Sequence, residues 1–141
     1  MKLYHPEVGT PAVDKLVNGA DSQVRISRLA PAELISALAI KVRTQAINRD
    51  DADIFLRQFR SDIATARLEV FSFGESVFAI TESLVERYAF RLRLRALDAL
   101  QLAVAMELRN RQLVDSFVAA DKILCDVAEL EGFAVINPEQ I

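Results

Sequence analysis

One histidine and one cysteine in 141 residues narrow the available chemistry at once. With His5 alone, His-rich zinc sites fall away, and a Ser-His or Cys-His triad has almost nothing to work with. His5 precedes Pro6 in loop-like sequence and reads as a surface residue. Cys125 cannot form an internal disulfide. Its setting, DKILCDVAEL, reads as a buried, inert thiol among apolar helical neighbours. A single thiol points to a reducing, cytoplasmic compartment. A basic excess is also missing. The net charge is −3, which is not the footprint of a stable nucleic-acid binder. An acidic chain that acts briefly on nucleic acid needs a local basic patch or metal ions. No apolar run approaches a membrane span, and MKLYHPE lacks the apolar centre of a signal peptide. There is no P-loop, no G-x-G-x-x-G and no G-x-S-x-G. LEVFSFG lacks the strand-ending aspartate that a phospho-receiver domain requires.

What is present is a globular composition, 52% hydrophobic and 26% charged. The length suits one domain, residues 1–141, with enough core to fold without disulfides or a structural metal. Thr10-Pro11 starts a helix, with Thr as cap and Pro at the first helical position, and Gly19 ends it. SQVRISRLA predicts a strand over about Gln23 to Leu29. Pro31 opens a long helix with Leu34, Leu38, Val42 and Ala46 at one-turn spacing. RDDADIFLRQF starts another, its aspartates favoured by the positive helix end. LEVFSFG predicts a strand, then ESVFAITESLVERY a helix with Val77, Ile80, Leu84 and Tyr88 on one side. ALDALQLAVAMELRNR predicts a helix with Leu97, Leu100, Val104 and Leu108 inward. VDSFVAA, DKILCDVAELEG and FAVINP predict strand, helix and strand. The order α-β-α-α-β-α-α-β-α-β implies an α/β fold with a mostly parallel sheet and helices on both faces.

Three carboxylates stand where such sheets collect ligands, at the carboxyl ends of strands. Glu33 lies in the first turn of the helix opened by Pro31. Asp121 follows FVAA directly. Asp98 lies in the first turn of LRALDALQLAVA, interrupting an apolar run. Carboxylates that converge need protons or a cation between them. Oxygen-only donors suit Mg²⁺ or Mn²⁺, which bridge phosphate oxygens and promote attack of water on a phosphodiester. Each acid also fits a helix cap, so the residues alone leave both readings open. Arg91, Arg93 and Arg95 in RLRLR suit either a phosphate backbone or a solvated connector. Asp126 and Glu129 to Glu131 read as a solvent face, and Lys122 as a phosphate contact or, more often for such a lysine, a simply exposed one.

Taken together, SRLAPAELISAL, LRALDALQLAVA and FVAADKIL…FAVINP resemble the PIN-domain family, and within it the VapC-like toxins of toxin–antitoxin pairs. The resemblance runs over essentially the whole chain and is most specific around Asp98, where Gln101 replaces a histidine common among relatives. It implies a PIN-like three-layer α/β/α fold and a metal-dependent ribonuclease whose four acids bind Mg²⁺ or Mn²⁺. Glu33, Asp98 and Asp121 match the second, third and fourth acids. It further implies an RNA substrate, a homodimer and a cognate antitoxin that covers the site. The family's first acid ends a central first strand, and MKLYHPEVGT resembles the segment just after that acid in relatives. The first strand is therefore expected to be absent from this chain, and Asp14 is no substitute. A start placed at an internal valine codon is expected over a real truncation. If the loss is real, the alternative is a non-catalytic protein that binds an antitoxin or a second copy.

Overall fold

The computed structural model describes residues 10–19 and 23–140. His5 and the expectations for MKLYHPEVG lie outside the described residues. The first described element is a helix, α1, Thr10–Asn18, with Gly19 following it. The chain divides into two compact units, Met1–Phe71 and Ser72–Ile141. Every predicted helix and strand is present, in the predicted order.

In the first unit, β1 (Val24–Ser27) pairs in parallel with β2 (Leu68–Phe71), Val24 opposite Leu68 and Ser27 opposite Phe71. Between them run α2 (Ala30–Arg43) and α3 (Arg49–Ala64). Two parallel strands cannot be joined by a tight turn, so a helical crossover is required. The predicted strand over Gln23 to Leu29 is shorter at both ends, because Leu29 already adopts helical backbone angles as the cap of α2. Pro31 sits in the first turn of α2, where its missing N–H costs nothing. Ala46 lies beyond the end of α2 and is exposed, so the one-turn series stops at Val42. The start of α3 is fixed by Asn48, whose side chain accepts from the Asp51 N–H at 2.7 Å. Asp51 returns the contact to the Asn48 N–H, completing a capping box. Leu34, Leu38, Ala52, Phe59 and Leu68 form the core, with Val17, Val24, Ile26, Val42 and Phe55 packed against it. One charge is buried among them. Asp62 pairs with Arg67 at 2.8 Å, and Arg67 also donates to the Asn18 side chain.

In the second unit, α4 (Glu75–Tyr88) packs on α5 (Ala96–Asn110). Then β3 (Ser116–Val118) pairs in parallel with β4 (Ala134–Ile136) through α6 (Lys122–Leu130). Val77, Leu84 and Tyr88 of α4 are buried as expected. On α5 the inward face differs from the prediction. Ala99, Leu102, Ala103, Val104, Ala105 and Leu108 are buried, while Leu97 is 47% exposed. The alanines let α5 approach its neighbours closely, so the deep stripe centres on them rather than on the leucine series. Glu131, read as solvent-facing, is drawn in. It accepts from the Tyr88 hydroxyl at 2.9 Å and pairs with Arg87. Arg109 donates to the Glu131 carbonyl at 2.9 Å and lies 4.0 Å from the Phe133 ring centre. Gly132 adopts φ +89° just past α6, a left-handed turn that glycine enters without strain.

Candidate functional site

Glu33 stands in the first turn of α2, four residues past the cap and half-buried beside Leu34. Its position follows from the chain reversing out of β1 through Arg28 and Leu29. The Glu33 N–H donates to the Leu29 carbonyl at 3.0 Å, which closes that turn.

Asp98 belongs to the second unit. The chain leaves α4, runs extended to Arg95 (φ −86°, ψ 154°), and enters α5 without any side-chain capping bond. Asp98 is three residues into that helix, where a carboxylate usually reaches back to the cap N–H. Here it does not. Its described partner is the Arg95 guanidinium at 3.5 Å, and its side chain is 24% exposed. In sequence it stands between exposed Leu97 and buried Ala99. The helix end stabilises a negative charge there. The carboxylate itself is not consumed by capping.

Asp121 follows β3 by three residues and caps α6. One oxygen, Oδ1, accepts from the Leu124 N–H at 2.9 Å, and the residue is exposed. The capping role that the sequence left open is therefore real, and it engages one of the two oxygens. The next residue, Lys122, pairs with Asp126 at 2.6 Å. Asp98 and Asp121 thus share a unit, and Glu33 belongs to the other. Among the described residues, no group of three or more His, Cys, Asp and Glu side chains is drawn together as a cation site.

An open cleft of about 480 Å³ lies along α6 and β4, lined by Lys122, Cys125, Asp126, Glu129, Val135 and Asn137 among others. None of the three acids lines it. Cys125 is buried and its thiol donates to the Ala119 carbonyl at 3.2 Å. Burial, followed by the charges of Asp121 and Asp126, pushes this thiol above its usual range. Its burial is what its sequence setting suggested.

The connector before α5 carries a feature that sequence reading half found. Arg91, Arg93 and Arg95 are all exposed, whereas Leu92 is half-buried and Leu94 buried. Phe90 was missed. It is 88% exposed, the most exposed large apolar side chain described. The period-two alternation of RLRLR signalled the arginines, but nothing in the letters signals an uncovered phenyl ring.

Residues 1–134 match the family described as PIN domain. No curated protein matches the chain closely.

Proposed function

The chain belongs to the PIN domain family, and from that premise we propose that it is a metal-dependent endoribonuclease, the VapC-like toxin of a toxin–antitoxin pair. PIN domains are generally nucleases and typically use divalent metals such as Mg²⁺. The observation that carries the reading is Asp98. It is a carboxylate at a helix start that makes no capping bond, in the segment most like the family.

The donor set fits a hard cation. Asp98 and Asp121 offer carboxylate oxygens only, and capping leaves Oδ2 of Asp121 to spare. Glu33, Asp98 and Asp121 are the residues that would hold Mg²⁺ or Mn²⁺. Such an ion supplies charge neutralisation at the scissile phosphate and activation of a water. The chain's own groups do the rest. Arg95 restrains Asp98 and offsets its charge. Asp121 fixes the start of α6 with one oxygen, which orients the other. The helix starts at Asp98 and Asp121 add positive ends that favour an anionic substrate.

In this reading residues 1–141 form one domain. The protein acts in the cytoplasm, dimerises, and is silenced by a cognate antitoxin lying over the site. No described helix is long and apolar enough to cross a membrane. The test is Asp98→Ala, which should abolish Mg²⁺- or Mn²⁺-dependent RNA cleavage. Undiminished cleavage by that variant refutes the proposal.

A second reading starts from Asp121, whose carboxylate already serves as the cap of α6. It is a non-catalytic PIN-like protein that binds an antitoxin or a second copy. It predicts antitoxin binding without metal-dependent cleavage, and robust cleavage would reject it.

A further inference from the structure

The connector F-R-L-R-L-R, residues 90–95, is built as a strip. The last turn of α4 closes through two bonds to the Tyr88 carbonyl, from the Arg91 N–H at 3.0 Å and the Leu92 N–H at 2.8 Å. The Leu94 N–H then bonds the Leu92 carbonyl at 2.8 Å. Leu92 and Leu94 turn inward and anchor the segment, so the three guanidiniums that alternate with them stand in water.

Their partners differ. Arg87, one turn earlier, is committed to Glu131, and Arg95 pairs with Asp98. Arg91 and Arg93 have no side-chain partner among the described residues. No acid occurs between Arg87 and Leu97. In a chain of net charge −3 this is a concentrated positive run. It adjoins Phe90, whose ring is almost wholly in water. Guanidiniums next to an uncovered aromatic suit a flexible polyanion with exposed π-faces. Arginines take the phosphates, and the ring stacks on an unpaired base.

We infer that Phe90, Arg91 and Arg93 form a landing strip for single-stranded RNA, delivering the strand to Asp98 through Arg95. The direction of delivery rests on the nuclease reading; the binding itself does not. Charge complementarity selects the polyanion, and the bare ring selects single strands over duplex, whose bases are already stacked.

The experiment measures binding without cleavage. The full chain is titrated into fluorescein-labelled oligouridine in EDTA, by anisotropy, over a series of KCl concentrations. Phe90→Ala and Phe90→Leu should each weaken binding about fivefold or more, the leucine because it keeps apolar bulk but cannot stack. Arg91→Ala with Arg93→Ala should flatten the slope of log affinity against log salt by about 1.4. Lysines at both positions should retain the slope. The three substituted residues are all exposed, so melting should match the parent chain. Unchanged affinity in the Phe90 variants, or an unchanged salt slope in the arginine variant, overturns the strip. So does a stronger effect of these substitutions on binding to polyglutamate, an acidic-peptide surrogate. Cleavage is scored separately with Mn²⁺ restored. Parent protein that binds through the strip but never cleaves removes the nuclease reading and leaves the strip. Cleavage that survives with binding insensitive to the strip does the reverse.

Discussion

The two units bury their apolar side chains to different depths. In the second, Val77, Ala99, Leu102, Ala103, Val127 and Ala128 are entirely out of water. In the first, the deepest described residue is Leu38, at 4% exposure, and its core neighbours Val17, Val24, Ile26 and Val42 are only half-buried. The second unit also ties its elements with polar bonds on buried or half-buried groups, Tyr88 to Glu131 and Arg109 to the Glu131 carbonyl. The first instead buries a charge, Asp62, and compensates it with a partly exposed arginine. The difference teaches where a helix-start carboxylate can be held still. Asp98 and Asp121 begin helices whose inner faces are among the best packed in the chain. Glu33 begins a helix over a shallower core.

Truncating matched core leucines would break this comparison most strongly. Leu102→Ala should cost about 3–5 kcal/mol, because its close-packed alanine neighbours cannot collapse into the space. Leu38→Ala should cost less, about 2–3 kcal/mol, since half-buried neighbours can relax toward it. Chemical denaturation of both variants measures the gap. Equal costs would erase the distinction between the units.

A middle-sized effect is expected at the start of α3. Asn48→Ala removes one arm of the capping box and should cost about 1 kcal/mol, read by the same denaturation. Asn48→Asp should cost little, because aspartate caps as well. Smaller still is the gain at a left-handed turn. Gln112 holds φ +60° just past α5, as do Gln45 past α2 and Ala66 past α3. Gln112→Gly should stabilise by up to about 1 kcal/mol, since glycine carries no steric penalty there.

The smallest effect is one of pH. Burial, then the bond to Glu131, raises the Tyr88 phenol above its ordinary value of 10.0. A raised phenol binds its proton more tightly in the folded chain. Its contribution is therefore complete below pH 10 and is lost as pH rises through the folded value. Stability should fall through that range, and Tyr88→Phe should flatten the fall.

The element order was legible in the sequence because its punctuation is chemical. Pro31 opens α2, Asp121 caps the start of α6, and Gly132 closes it. What stayed hidden lacked such punctuation. The turns at Gln45, Ala66 and Gln112 are left-handed without glycine, so no letter marks them. The capping box begins at Asn48, ahead of the run of aspartates in RDDAD. Leu97 fits the helical period of α5, yet the small residues set which side goes in. For the site, the first-turn positions of Glu33 and Asp98 and the start of α6 at Asp121 were legible from spacing. Which oxygens are engaged was not, because that depends on backbone angles at Arg95 and Asp121.

Asp121→Asn is the variant that most directly separates a cap from a ligand. Asparagine accepts the Leu124 N–H as aspartate does, so the melting temperature should be unchanged. It offers no negative charge to a cation, so Mn²⁺-dependent RNA cleavage should fall by about two orders of magnitude. Both are measured on the same preparation. Unaltered melting with cleavage lost is the result this account requires. Unaltered melting with cleavage at the parent rate would make Asp121 a cap and nothing more, and would contradict the carboxylate site.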